Sequence, residues 1–336
     1  MEKTKGWSRR SFLKKGGLTA LGAVAWTGEG VEASARTGTY GTLIDITRCD
    51  GCQGETIPRC VEACRRVNER QFPVPKEPIR DLWPQKTHDD WSKKKHLIDR
   101  LTPYNWTTVQ RVEMEGEAIF IPRRCMHCDN PPCARLCPFG ALDQNADGSV
   151  VINHGLCMGG AKCKAVCPWE IPQRQSGVGL YMKLQPIPAG GGVMYKCDFC
   201  HDRLNQGLIP ACVEACEKRL GPQRPLFFGR REEIRRMAHA RAKEIGGHIY
   251  GEEENGGTST LYVSKIPFEK IHARLGERKM HPSMGKVSNV LNAVNPWAKA
   301  FFFGPLFAAL GALGLAFVHR KHEKESGRDD HGKNHR

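Results

Sequence analysis

The sequence has little of what marks most enzymes and membrane proteins. Aromatic residues make up 8% of its 336 residues and its mean hydropathy is −0.49, which excludes a polytopic membrane protein but not a single membrane span. It has no nucleophile–base pair, Walker loop or dinucleotide fingerprint that would indicate a substrate site of its own. Acidic residues are in deficit, because 36 Asp and Glu stand against 51 Lys and Arg. Cysteine, with 15 residues, is in excess.

The cysteines fall into four blocks of one repeated pattern. Every block ends in C-x3-C and three begin with C-x2-C, whereas in the third block Gly160 stands where the second cysteine would be. The first and fourth blocks share the segment Cys-Val-Glu-Ala-Cys and the middle two end in Cys-Pro, so the repeat is nested. The blocks are Cys49, Cys52, Cys60 and Cys64; Cys125, Cys128, Cys133 and Cys137; Cys157, Cys163 and Cys167; and Cys197, Cys200, Cys212 and Cys216.

This spacing indicates iron–sulfur ligation. A cubane cluster needs one thiolate per iron, and in bacterial ferredoxins the fourth cysteine of each run ligates the other cluster. The C-x3-C spacing places that cysteine about one helical turn on, directed at the neighbouring cluster. Zinc ribbons and disulfides are the alternatives, but neither requires a terminal C-x3-C repeated in four blocks. The blocks therefore predict four clusters.

The net charge of +15 has two explanations. Each cysteine-ligated cubane carries a charge of about −2 when oxidised, so part of the basic excess would compensate buried clusters. The alternative is ordinary solvated charge. We expect it over residues 230–241, where Arg231, Arg235 and Arg236 suit one face of an exposed helix.

The two ends of the sequence predict export and anchoring. The run S-R-R-S-F-L-K at residues 8–14, an apolar run and Ala-Ser-Ala at 33–35 are typical of a twin-arginine signal peptide; an amphipathic helix with a chance arginine pair is the alternative. Residues 300–318 carry no charge and are long enough to span a bilayer as a helix. Basic residues follow at once, so the positive-inside rule puts the C-terminus in the cytoplasm.

The expected organisation follows from these signals. Residues 1–35 form the signal, 36–285 the cysteine-bearing domain with an insertion at 65–124, 286–320 the anchor with a helix at about 298–318, and 321–336 a polar cytoplasmic tail. Hydrophobic alternation predicts an α+β fold. The expected strands are residues 40–47, 226–228 and 260–264, with a hairpin of 107–112 and 118–122 turning near Gly116.

On these residues the sequence resembles the four-cluster, ferredoxin-type electron-transfer subunits of exported respiratory oxidoreductases. Among them it is most similar to the membrane-anchored subunit of hydrogenase-2-type [NiFe] hydrogenases. Besides the cysteine blocks, the resemblance covers residues 43–45, 101–104, 109–110 and 250–258 and the C-terminal span. It implies two nested, pseudo-symmetric bacterial-ferredoxin-like modules, each of the two-[4Fe-4S] kind.

The family's pairing implies a ligand set for each cluster. The sets are Cys49, Cys52, Cys60 and Cys216; Cys64, Cys197, Cys200 and Cys212; Cys125, Cys128, Cys133 and Cys167; and Cys137, Cys157 and Cys163. There are two departures from the family: seven residues separate Cys52 from Cys60 where the family usually has two, and Gly160 cannot ligate iron. Three thiolates suit a [3Fe-4S] cluster or an open cubane, or the cluster is lost. We expect three [4Fe-4S] clusters and one [3Fe-4S] cluster at the quinone-facing end.

The resemblance also implies a non-catalytic role. The chain would relay electrons from a periplasmic catalytic subunit, a [NiFe] hydrogenase, to an integral membrane quinone-reactive subunit. A molybdopterin enzyme or a multihaem cytochrome is the alternative donor, and a zinc-stabilised structural adaptor is the alternative of another class. The expected location is the periplasmic face of the cytoplasmic membrane, with no nucleic-acid partner. His127 and His201 lie inside cysteine blocks, where they either donate to cluster sulfurs or serve local structure.

Overall fold

The computed structural model describes residues 39–83, 85–114, 116–184, 190–276, 282–292, 312–313 and 315. Within them α-helices and β-strands are mixed, in agreement with the expected α+β content. The strands are β1 (Tyr40–Asp45), β2 (Thr108–Met114), β3 (Glu117–Arg123), β4 (Leu142–Gln144), β5 (Val150–Ile152), β6 (Gln173–Gln175), β7 (Val193–Tyr195), β8 (Leu226–Arg230), β9 (His248–Tyr250) and β10 (Thr260–Ser264). The helices are α1 (Arg59–Asn68), α2 (Pro132–Arg135), α3 (Lys162–Ala165), α4 (His201–Asn205), α5 (Ala211–Leu220), α6 (Arg231–Ile245) and α7 (Phe268–Leu275).

A four-stranded sheet joins the two ends of the described chain in the order β8-β1-β10-β9. Strand β1 runs antiparallel to β8 and parallel to β10, and Leu43 is paired with Phe227 on one side and Leu261 on the other. Helix α6 packs on this sheet with one face. The buried residues of the helix recur at every fourth position, so they lie on that face. The residues of this contact are Ile234, Ala238 and Ala242 of the helix with Leu43, Leu261 and Val263 of the sheet.

The first turn of α6 differs from the prediction of an exposed face. Arg231 is only 5% exposed, and its guanidinium donates to both carboxylate oxygens of Asp129, with the Nη1–Oδ1 pair 2.6 Å apart. It also donates to the carbonyl of Thr258 at 2.9 Å. The prediction was wrong at this residue because helical periodicity contains no information on a partner 102 residues away.

Strands β2 and β3 form the predicted hairpin, with Val112 paired to Ile119. Buried and exposed residues alternate along β2, as expected of a ribbon with one face on the core. The second part of the insertion at 65–124 is therefore in the core: Tyr104 is 0% exposed and Trp106 is 3% exposed. Trp83 of the same insertion is 73% exposed.

The remaining elements are short and surround the cysteines. Strands β4 and β5 pair antiparallel, as do β6 and β7, and each forms a two-stranded ladder of three residue pairs. Helix α1 packs against α5, and α2 against α3. These ladders and helix pairs hold the loops of the cysteine blocks between them.

Two predicted features fall largely outside the described residues. The signal at 1–35 lies wholly outside, and of the span at 300–318 only residues 312, 313 and 315 are described. No helix in the described part of the chain has the length and apolar composition that a membrane crossing requires. The domain boundaries at residues 35, 285 and 320 stay predictions.

Candidate metal-cluster sites

All four blocks share one left-handed residue in their opening turn. The residue before the second cysteine position has a left-handed conformation in each block, with φ of 66° at Gly51, 51° at His127, 67° at Gly159 and 64° at Phe199. Non-glycine residues rarely adopt this conformation, so its recurrence marks a specific loop shape. Block three keeps the turn although Gly160 supplies no thiol. Block three therefore shares this feature with the three blocks that have all four cysteines.

The C-x3-C segments lie at the starts of helices. Helices α1 and α5 each begin directly after a proline, Pro58 or Pro210, and each carries two cysteines one turn apart: Cys60 and Cys64 in α1, and Cys212 and Cys216 in α5. Helices α2 and α3 have only four residues each and contain Cys133 and Cys163. Their partner cysteines, Cys137 and Cys167, follow the helix end, because the residue before a proline is disfavoured in the helical conformation. One turn of helix is thus common to all four blocks.

The thiols approach one another in four groups. Within each predicted ligand set the charges of thiols raise the pKa of other members, and weaker effects of the same kind join neighbouring sets. Site 1 contains Cys49, Cys52, Cys60 and Cys216; site 2 contains Cys64, Cys197, Cys200 and Cys212; site 3 contains Cys125, Cys128, Cys133 and Cys167; and site 4 contains Cys137, Cys157 and Cys163. These are the sets that the resemblance implies, and their assignment as ligand sets stays a prediction.

The four sites form a row. Cys60 of site 1 lies near Cys212 of site 2, and Cys197 of site 2 lies near Cys125 of site 3. The last link joins Cys133 of site 3 to Cys163 of site 4. The C-x3-C segments that begin in α1 and α5 connect sites 1 and 2, and those that begin in α2 and α3 connect sites 3 and 4.

The donor set fits iron–sulfur clusters. All fifteen cysteines are free thiols, which argues against the disulfide alternative. Burial raises the pKa of Cys49 and Cys163 to about 12 and that of Cys216 to about 11, so a thiolate at these positions needs a cation to stabilise it. Among the described residues no three Cys, His, Asp or Glu side chains are grouped closely enough to hold one metal ion. A cubane instead spreads its thiolates over separate irons.

Site 1 is an enclosed cavity lined by all four of its cysteines. Gly51 is in contact with the ring of Phe120, which the hairpin brings over the loop. The backbone N–H of Arg59 donates to the sulfur of Cys52 at 3.4 Å. On the outer side Arg219 forms a bidentate pair with Asp50, with the Nη2–Oδ2 distance at 2.7 Å. A charged rim thus surrounds an apolar cavity.

Site 2 is surrounded by hydrogen-bond donors. The hydroxyl of Thr107 lies 3.5 Å from the sulfur of Cys64, and the amide nitrogen of Asn68 lies 3.6 Å from it. Nη1 of Arg124 lies 3.5 Å from the sulfur of Cys212. Donors to ligand sulfur stabilise the more negative, reduced state of a cluster and raise its potential.

The two histidines inside the blocks have different roles. Nδ1 of His127 accepts from the backbone N–H of Val150 at 3.0 Å, so its proton is on Nε2, which lies 3.6 Å from the sulfur of Cys197. Burial lowers the pKa of His127 well below its usual value, and this keeps the ring neutral. His201 instead contacts Asp147 at 2.6 Å and Ser149 at 3.1 Å, and serves local structure.

Site 3 is walled by the stretch 250–258. Cys128 and Thr258 form an isolated antiparallel β-bridge through their backbones, and the N–H of Asp129 donates to the carbonyl of Gly257 at 2.9 Å. Burial raises the pKa of the Cys128 thiol, and the nearby side-chain amide of Asn255 opposes that rise. The four cysteines of the site and Lys196 line one cavity. This wall explains why a distant stretch accompanies the cysteine blocks.

Site 4 has three thiols and an open side. The N–H of Met194 donates to the sulfur of Cys157 at 3.4 Å. A Cβ at Gly160 would meet only Phe139, at 3.9 Å, so a side chain has room there. Phe139 is 50% exposed and Leu156 is 49% exposed, which gives this end of the row an apolar surface.

Several contacts at the sites were not predicted from the sequence. Thr107 and Asn255 belong to no local motif and reach their cysteines only through the tertiary fold, whereas Asn68 lies one helical turn after Cys64 in α1. One local signal does exist in the sequence: a basic residue directly precedes the first cysteine in three of the four blocks, at Arg48, Arg124 and Lys196.

Two overlapping parts of the chain match known protein domains. Residues 48–141 and residues 116–221 each match a 4Fe-4S dicluster domain. Together these segments contain all fifteen cysteines.

Three relatives of the chain extend this match. The chain is 36% identical to a protein of Nitratidesulfovibrio vulgaris (strain Hildenborough) over 77% of its own length and 65% of that protein. It is 27% identical to the hydrogenase-2 operon protein HybA of Escherichia coli O157:H7 over 96% of this chain and 99% of that protein. It is 32% identical to a tetrathionate reductase subunit of Salmonella typhimurium over 62% of this chain and 70% of that protein.

Proposed function

Because the chain belongs to the family of ferredoxin-type, 4Fe-4S dicluster subunits of oxidoreductase complexes, we propose that it relays electrons between a catalytic subunit and a quinone-reactive membrane subunit. It has no catalytic role of its own. Iron–sulfur clusters, when bound, supply one-electron carriers that need no proton transfer. The residues of the chain hold these carriers in line, exclude water and set their potentials.

The observation that carries this proposal is the row of four thiol groups. Each site lies near the next through one pair of thiols, so carriers bound there would be neighbours. The N-terminal turns of α1 and α5 each donate one thiol to site 1 and one to site 2. Apolar walls from the β2–β3 hairpin and from the β4–β5 and β6–β7 ladders bury the thiols.

We propose that sites 1, 2 and 3 each hold a [4Fe-4S] cluster and that site 4 holds a [3Fe-4S] cluster. The support for the last is the turn at Gly159 and Gly160, which has the left-handed residue of the other three loops but lacks a thiol. Three thiolates match the ligand count of a three-iron cluster.

A direct experiment tests the cofactor content. The full chain, prepared without oxygen, should be brown and contain about fifteen iron atoms with labile sulfide. In the air-oxidised state EPR should show the near-isotropic signal of a three-iron cluster. Colourless, iron-free protein would contradict the function, whereas about twelve iron atoms without that signal would contradict only the assignment of site 4.

The proposed catalytic partner is a [NiFe] hydrogenase. It is supported by the alignment with the hydrogenase-2 operon protein HybA, which covers 99% of that protein. The similarity to the tetrathionate reductase subunit keeps a molybdopterin enzyme as the second candidate, with a multihaem cytochrome as a third. Metal analysis of the complex purified through this chain separates them, since the expected partner contributes nickel and the others molybdenum or haem.

The proposed location is the periplasmic face of the cytoplasmic membrane. It rests on the twin-arginine pattern at residues 8–14 and on the uncharged run at 300–318, with basic residues after it. Protease added to intact spheroplasts should digest the cysteine-bearing domain and spare an epitope at the C-terminus. Replacement of Arg9 and Arg10 by Lys should keep the chain in the cytoplasm; export of that variant would contradict the route.

A further inference from the structure

Two buried cations lie beside the inner sites. Arg124 is 1% exposed and Lys196 is 4% exposed. They occupy equivalent sequence positions, because each directly precedes the first cysteine of its block, Cys125 or Cys197. Burial of an unpaired cation costs several kcal/mol unless a negative charge lies close to it.

The negative charge nearest Arg124 is that of site 2. Nη1 donates to the sulfur of Cys212 at 3.5 Å and Nη2 donates to the hydroxyl of Thr42. Nε of Arg124 has no hydrogen-bond partner, and within the described ranges the guanidinium forms no salt bridge with a carboxylate. Burial lowers its pKa, but the charges of Cys212 and Cys197 outweigh burial and raise it.

The negative charge nearest Lys196 is that of site 3. Its side chain lines the cavity between the four thiols of that site, and Nζ donates to the carbonyls of Val150 and Cys197. Burial lowers the pKa of Lys196, and the charges of Cys125 and Cys133 of site 3, followed by that of Cys197 of site 2, reverse this effect. The carboxylate of Asp198 contributes in the same direction as these thiols, after them in magnitude.

The two side chains are therefore crossed, because each faces the site that contains the cysteine next to the other. Arg124 precedes a cysteine of site 3 and faces site 2, whereas Lys196 precedes a cysteine of site 2 and faces site 3. The equivalent positions of the end sites have no buried cation. Arg48, before site 1, is 26% exposed at its side chain and paired with Asp45, and Leu156, before site 4, is apolar.

We propose that Arg124 and Lys196 raise the reduction potentials of sites 2 and 3, each acting on the site that its side chain faces rather than on the site whose first cysteine it precedes. The proposal rests on the proposed function, since it requires clusters at these sites. Reduction adds one electron and no proton, so it adds one negative charge to the cluster. A fixed cation in the weakly screened interior stabilises that charge.

Redox titration of the full chain, followed by EPR, tests this. The signals of sites 2 and 3 are first identified as those altered in Cys200→Ser and Cys128→Ser. Arg124→Met should lower the reduction potential of site 2 and leave that of site 3 unchanged. Lys196→Met should lower the reduction potential of site 3 and leave that of site 2 unchanged. The charge-conserving variants Arg124→Lys and Lys196→Arg should restore most of the shift.

Arg48→Met is the matched control. It removes a cation from the same position before Cys49, but one that is partly exposed, and Asp45 keeps its second partner Arg241. No potential should move. Arg124→Met or Lys196→Met could lose a cluster altogether. Loss from the site that the side chain faces supports the proposal, and loss from the site whose first cysteine it precedes overturns the proposal.

The proposal is also overturned if Arg124→Met and Lys196→Met keep all clusters and all reduction potentials stay unchanged. It is likewise overturned if the potential shifts at the site whose first cysteine the replaced residue precedes. Iron and sulfide in the unmodified chain are measured first. A cluster-free unmodified chain refutes the proposed function, whereas a loaded one whose variants do not shift refutes this inference alone.

Discussion

Sites 1 and 4 are the two ends of one row, and they differ in ligands and surroundings. Site 1 has four thiols, a cavity closed by Phe120 against Gly51, and a rim of charge around Arg219. Site 4 has three thiols, open space at Gly160 and an apolar surface at Phe139 and Leu156.

The shared backbone makes this difference informative. The left-handed turn at Gly51 is repeated at Gly159, so the repeat preserves the loop while its side chains diverge. Loop shape and ligand count are therefore separate properties. The loop places sulfur where a cysteine is present, and the missing cysteine changes the cluster expected there without changing the fold.

The largest expected contrast comes from removing one thiol at each end. Cys163→Ala leaves two thiols at site 4, too few for any cluster, so iron should fall by about three atoms per chain. Cys60→Ala leaves three at site 1, so iron should fall by about one and a second three-iron EPR signal should appear. Equal iron losses in the two variants would contradict the difference in ligand count.

The converse change should make site 4 resemble site 1. Gly160→Cys supplies a fourth thiol where a Cβ meets nothing closer than 3.9 Å, so the three-iron signal should disappear and iron should rise by about one atom. Gly160→Ala is the control and should keep the signal. Persistence of the three-iron signal in Gly160→Cys would show that the backbone does not direct a thiol into the site.

A third contrast concerns the glycines themselves. A Cβ at Gly51 would lie 2.2 Å from Phe120, at a φ of 66°, so Gly51→Ala should destabilise the chain by about 1–3 kcal/mol. Gly160→Ala should change stability by about 0.5 kcal/mol or less. Anaerobic denaturant unfolding measures both; a Gly51→Ala variant as stable as Gly160→Ala would refute the close packing at site 1.

The smallest expected effect is at the charged rim of site 1. Arg219 lowers the pKa of Asp50, so their pairing stabilises the fold at neutral pH and is lost as the pH falls through that lowered pKa. Arg219→Gln should therefore cost about 1 kcal/mol or less, because the pair is partly exposed. The difference should shrink in about 1 M salt, where exposed charges are screened. A loss that is insensitive to salt would mean that Arg219 acts by packing.

Much of the architecture around the cysteines was predictable. Hydrophobic alternation identified β1, local strand signals identified the hairpin, and short buried runs identified β8 and β10. The resemblance implied the four cysteine groups. The ion pair of Arg231 with Asp129 was not predictable, since the helical pattern of α6 places Arg231 among exposed charges.

The sequence by itself determined the number of thiols, the loop that presents them and the single helical turn between the last two of each block. These are local properties, set by short spacings and by the prolines beside them. Only the tertiary structure decided what surrounds each sulfur: Asn255 against Cys128, Thr107 against Cys64, and the crossed side chains of Arg124 and Lys196. The reason is that such contacts depend on how distant elements pack. The spacing of residues along the chain does not indicate which site a buried side chain will face.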